Sequence, residues 1–115
     1  MTSHLKGVAA EDAVLRHYEG RGFACVAKRW KGEAGEIDLV LRHPLGSLVF
    51  VEVKTSSTLA QALYSLRPAQ VARLMQSASA FLALQPEGQS TAARYDVAAF
   101  DHAGQIEVVE NALAA

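Results

Sequence analysis

At 115 residues, half of them hydrophobic and a fifth charged, the chain has the size of one domain and enough apolar material for a core, which excludes general disorder. A net charge of −1 excludes a polycation, and no apolar run approaches membrane-spanning length, so no membrane partner is expected. The single cysteine excludes an intramolecular disulfide and a multi-cysteine zinc site, and suits a reducing cytoplasm.

The first twenty residues lack the continuous apolar stretch of a signal peptide, which again points to a cytoplasmic protein. Val8, Leu15 and Tyr18 follow helical spacing, with Val14 beside them. They predict a helix from about His4 to Glu19, ended by Gly20 and Gly22. Glu11 falls three residues after Val8 and four before Leu15, inside the apolar stripe. A carboxylate there is costly to bury without partners. Either it snorkels to water at the edge of the stripe or it faces a site. "GFACVAKRW" reads as a first strand and places Cys25 in or near the core. Lys28, Arg29 and Lys31 surround Trp30, which allows two readings. The indole stacks on a base or sugar with phosphate contacts beside it, or it packs inward under exposed basic neighbours. Residues 1–31 hold six Lys/Arg and three Asp/Glu, whereas residues 32–115 hold five and nine, so a basic part can flank an acidic centre.

"GEIDLVLR" and "SLVFVEVKT" predict a second and third strand, and the "HPLG" between them implies an antiparallel hairpin. With a side-chain period of two, Ile37 and Leu39 face one way, and Glu36, Asp38 and Val40 the other. On the third strand Glu52 and Lys54 share the face of Phe50, while Val49, Val51 and Val53 line the opposite face. Two strands thus bring acids to a face that otherwise reads as interior, where isolated carboxylates are strongly unfavourable. Asp38, Glu52 and Glu11 offer hard oxygen ligands of the kind Mg²⁺ or Mn²⁺ takes. Lys54, one pleat beyond Glu52, is placed to hold or polarise an attacking water. The plainer alternative is a cross-strand ion pair of Lys54 with Asp38 or Glu36.

"STLAQALYSL" fits either a loop or a short helix. Pro68 fits the first turn of a helix running to about Leu84, with Val71, Leu74, Met75, Ala78, Phe81 and Leu82 on one face. "QPEGQS" breaks it. "ARYDVAAF" and "QIEVVE" are two further strands joined by the turn "DHAG". The order α-β-β-β-α-β-β predicts a single α/β domain over residues 1–115 with a mixed sheet.

A helix glutamate followed by D-x13-E-x-K across a hairpin resembles the PD-(D/E)XK nuclease fold. More closely, "GEIDLV" followed by "LVFVEVKT" resembles the YraN-like family of small bacterial endonuclease-like proteins, which is similar to archaeal Holliday junction resolvases. The likeness spans nearly the whole chain, through "GVAAEDAVLRHYEGRGF", "ARYDV" and "IEVVENAL". It implies a restriction-endonuclease-like mixed sheet flanked by helices, with Glu11, Asp38, Glu52 and Lys54 as the active-site set. Asp38, Glu52 and the Val53 backbone carbonyl are expected to ligate Mg²⁺ or Mn²⁺, with Glu11 as a further ligand and Glu36 as a weaker candidate. The implied activity is that of a metal-dependent endodeoxyribonuclease acting on DNA, on branched or single-stranded forms. The alternative is a non-catalytic nucleic-acid-binding or repair-accessory module. A homodimer and a repair-protein partner are both open. The chain departs from the family pattern at four places. Ala10 replaces the usual glycine, and Ser56 follows "EVKT" in place of arginine. "KRWK" lacks the asparagine common before the tryptophan. Gln70 stands for a basic residue early in the long helix, where it is a weak candidate for assisting the site.

Overall fold

The computed structural model describes residues 3–112, with side chains from Gly7 onward. Helix α1 (Ser3–Glu19) leads into a meander of β1 (Ala24–Gly32), β2 (Gly35–Arg42) and β3 (Leu48–Ser56). A crossover through α2 (Leu59–Tyr64) and α3 (Pro68–Leu82) then delivers the chain to β4 (Ala93–Asp101) and β5 (Ile106–Val109). Spatial strand order follows chain order. β3 and β4 run parallel and every other neighbouring pair is antiparallel, so the sheet is mixed as expected. The parallel pair is what the two-helix crossover makes possible, because a tight turn cannot join parallel strands.

Local chemistry sets the helix ends. Gly22, with φ +90, turns the chain out of α1 in a conformation that an L side chain rarely adopts. The ambiguous "STLAQALYSL" folds as α2 because Thr58 caps it, its hydroxyl accepting the Gln61 N–H at 3.1 Å. In α3, Pro68 takes the first turn and Gln70 Oε1 accepts the Arg67 N–H at 3.2 Å. The helix ends at Leu82 rather than Leu84, and Leu84 lies exposed.

The sheet separates two apolar clusters. On one side Val14, Leu15 and Tyr18 of α1 pack on Leu39, Leu41, Val49 and Val51. On the other, Ala78, Phe81 and Leu82 of α3 pack on Ile37, Val40, Leu48 and Phe50. Leu74, Val71 and Leu63 extend this side over Val97. Two expectations are corrected here. Ile37 and Leu39 lie on opposite faces, not the same one, because β2 does not alternate strictly between them. The irregularity is matched on β1, where Arg29 adopts φ 50 and the register passes from Lys28↔Leu39 to Trp30↔Ile37. Cys25 is exposed, not in the core. It lies on the edge strand, beside a register shift between Cys25 and Ala27 that carries this end of β1 out from under the helices. Among the described residues no helix is long and apolar enough to cross a membrane.

Candidate active site

The site exists because β2 leaves β3. Their pairing runs from Arg42↔Leu48 only to Leu39↔Val51, whereas β1 and β2 stay paired to Gly32↔Gly35. Beyond Leu39 the β1–β2 hairpin therefore diverges, and a fork opens along β3. Asp38 fills it. Its Oδ2 accepts the Val53 N–H at 2.8 Å, so a carboxylate takes the place of the missing strand partner. The N–H and C=O of one strand residue leave the same edge. The Val53 carbonyl consequently faces the fork as well.

Glu52 lies next to Val53 and is almost fully buried, on the α3 side near Leu74 and Ile37. Its Oε2 is 3.3 Å from Lys54 Nζ, and that lysine side chain is only 15% exposed. Lys54 thus pairs along its own strand rather than across to Glu36. Burial, followed by the hydrogen bond that the protonated Asp38 carboxyl donates to Glu52 and by the Glu52 charge, pushes the Asp38 carboxyl up to about 8. The Val53 N–H and Lys54 oppose this rise. Asp38 therefore keeps its proton near neutrality beside Glu52.

Glu11 reaches the same neighbourhood from α1. Its side chain is 14% exposed and accepts from Arg29 Nε at 2.7 Å. Burial raises its pKa; the Arg29 hydrogen bond opposes this, and the charges of Asp38 and Glu36 add to the rise. Glu36, half-buried at the start of β2, belongs to the same acidic field. The remaining candidates are placed differently. Gln70 closes the start of α3 through its amide oxygen. Lys28 pairs with Asp12 at 3.3 Å. Trp30 packs edge-on against Phe81, with centroids 5.2 Å apart, which is the inward-packing alternative. Lys31 is exposed.

The donor chemistry fits a hard divalent cation. Half-buried Asp38 and buried Glu52, with the one Lys54 ammonium beside them, carry an uncompensated charge when both are ionised. Among the described residues no three Asp, Glu, His or Cys side chains converge on one point. Further ligands would come from the Val53 carbonyl, water or a phosphate.

One polar centre escaped the sequence reading. Asp96 of β4 is completely buried and accepts from Tyr18 Oη at 2.8 Å, from Arg94, and from the Asn111 N–H at 2.9 Å. Its signal is an aspartate flanked by apolar residues in "YDVAAF", a pattern like that of Asp38. It is fully partnered and holds α1, β4 and the segment after β5 together. The open cleft of about 350 Å³ beside it, lined by His17, Arg21, Phe23 and Glu107 among others, contains none of the four acid/base residues.

A mixed five-stranded sheet between helices, with a hairpin that splays from its neighbour beside half-buried Asp38 and buried Glu52, makes this a restriction-endonuclease-like α/β domain. The model of the uncharacterised protein family UPF0102 matches residues 10–100, and the chain belongs to that family. It is 51% identical over 110 residues to a UPF0102 protein of Ruegeria pomeroyi, covering 96% of this chain and 89% of that one. It is 48% identical over 113 residues to a UPF0102 protein of Cereibacter sphaeroides, covering 98% and 96%. With a UPF0102 protein of Roseobacter denitrificans it shares 45% over 107 residues, covering 93% and 82%.

Proposed function

We propose that this chain is a Mg²⁺- or Mn²⁺-dependent endodeoxyribonuclease of the PD-(D/E)XK type and the YraN-like kind, acting on branched or single-stranded DNA. The observation that supports this best is the pairing of half-buried Asp38 with buried Glu52 beside Lys54. Asp38, Glu52 and the Val53 carbonyl would hold the ion, which supplies Lewis-acid charge for a phosphodiester oxygen when bound. Asp38 is already oriented for this by the Val53 N–H. Lys54 is held near the carboxylates by Glu52, where its ammonium can orient a water and offset charge that develops on the phosphate. Glu11, gripped by Arg29, sets the field on the far side of Asp38.

A second reading keeps the fold as a non-catalytic nucleic-acid-binding module. It is favoured by the internal pairing of Lys28 and Arg29 with Asp12 and Glu11, which takes two basic groups out of play. Lys54→Ala separates the two. In an enzyme it lowers turnover on the order of 10²–10³-fold, the scale of one lost preorganised group, with cation affinity unchanged or raised. In a binder it weakens DNA association on all sequences and reduces the salt slope by about one. If the parent binds DNA normally but cuts no branched, nicked or single-stranded DNA with either metal, the nuclease reading gives way to the second.

A further inference from the structure

Most cationic side chains are committed inside the molecule. Lys28 is bound to Asp12, Arg29 to Glu11, Lys54 to Glu52, Arg94 to Asp96, and Arg42 to the Gly46 carbonyl. Arg73 and Lys31 are exposed and have no hydrogen-bond or ion-pair partner among the described residues. Both stand at the β1–β2 turn, where the hairpin that carries Asp38 reverses.

Arg73 is held there by the backbone of that turn. A Cβ on Gly35 would lie 2.8 Å from Arg73 Cδ and 3.1 Å from its Nε, so the arginine stem lies flat across a residue that has no side chain. One turn further along α3, the buried Ser77 hydroxyl donates to the Gly35 carbonyl at 3.1 Å. Gly35 leads directly into Glu36 and Asp38, and Leu74, next to Arg73, lines the small void beside Glu52. The arginine thus extends beside the start of the strand that carries these acids, yet it pairs with none of them. Lys31 lies opposite Glu36 in the β1–β2 register and carries a second unspent charge at the same turn. A buried acid cluster repels a polyanion, so a strand that must approach it needs cations at the edge rather than within.

We propose that Arg73, supported by Lys31, is a phosphate-contact rim that seats a polynucleotide strand against the carboxylate fork. This rests on the nuclease reading above and names the residues that grip its substrate. An arginine suits the role because its planar fork of donors matches phosphate oxygens.

The test measures binding of a labelled single-stranded oligonucleotide to the purified chain across a salt series without divalent cations. Arg73→Ala should weaken binding at low salt and reduce the slope of log affinity against log salt by about 0.7, the value for one phosphate contact on a single strand. Its melting temperature should match the parent, because no partner is lost. Gly35→Ala, which displaces the same side chain, should weaken binding in the same direction. Arg16→Ala, at an exposed cation on α1, should bind like the parent. An Arg73→Ala protein with parental affinity and slope would overturn the rim while leaving the nuclease reading intact. A parent that neither binds nor cuts the oligonucleotide would overturn both.

Discussion

Near neutrality Asp38 does not ionise cheaply beside Glu52, and this has a measurable sign. The Asp38 pKa is raised in the folded chain above its unfolded value, through burial first and Glu52 second. The folded state therefore holds this proton more tightly. The stability it contributes is complete below about pH 4, the unfolded value, and is lost as pH rises towards about 8. Without divalent cations, parent melting temperature should fall across that window, whereas Asp38→Asn should show a flatter profile. On the proposed reading Mn²⁺ should restore the parent at pH 8 and leave Asp38→Asn unmoved; equal effects on both proteins would count against the site. Arg29 poses a second residue-scale question. It occupies the left-handed region at φ 50, where asparagine is tolerated better than most L residues. Asparagine is also what the resembling family carries before its tryptophan. Here the conformational cost is offset by the 2.7 Å pair with Glu11. Arg29→Ala should lower the urea midpoint, since it removes the hydrogen bond to a mostly buried carboxylate. Arg29→Asn should lose less, because the backbone strain is relieved.

Between elements, the decisive event is the parting of β2 from β3, and α3 holds it open. The Ser77 hydroxyl reaches across 42 residues of sequence to the Gly35 carbonyl. Ser77→Ala removes that donor from a fully buried site and should cost about 1–3 kcal/mol, read as a shift in urea midpoint with unchanged slope. If stability does not change, the clasp is dispensable. The strands and long helices were legible because their apolar positions follow periods of two and 3.6, as in "LVFVEV" and in Leu74, Ala78, Phe81 and Leu82. The acid pair was legible for a related reason: carboxylates stood where the pattern called for interior. The fork itself was not. Strict alternation through "EIDLV" predicts one face for both, but Ile37 and Leu39 face opposite sides, across from a left-handed Arg29 on β1. Nothing in a local window marks Arg29 as left-handed. Cys25 misled for the converse reason, since an apolar run on an edge strand reads like one in the centre.

Across the whole molecule, Asp96 joins parts distant in sequence. It takes hydrogen bonds from α1 through Tyr18, from its own strand through Arg94, and from the chain after β5 through the Asn111 N–H. Tyr18→Phe should cost about 1–3 kcal/mol by leaving this buried acceptor one donor short. Asp96→Ala should cost more, about 3–5 kcal/mol, because it leaves Arg94 only its longer pair with Glu110 and the Tyr18 hydroxyl without its acceptor, and frees the closing segment as well. Chemical denaturation of both variants checks the order; an Asp96→Ala loss no larger than that of Tyr18→Phe would deny it a joining role. Neither variant should alter the Asp38 titration, since Asp96 is not among the groups that shift it.

If the proposed metal site holds, the splayed hairpin also bears on the size of ion it would admit. It is tethered from both sides of the sheet, by Glu11 on Arg29 and by Ser77 on Gly35. On the proposed reading, the two clasps set the gap between Asp38 and Glu52, which would act as a gauge of ionic radius. A taut gauge suits octahedral Mg²⁺ or Mn²⁺ with oxygens near 2.1 Å, and a slack one accepts Ca²⁺ at about 2.3–2.6 Å. Releasing either clasp, by Ser77→Ala or Arg29→Ala, should shift relative affinity from Mg²⁺ towards Ca²⁺, a change that calorimetric titration with the two ions would read directly.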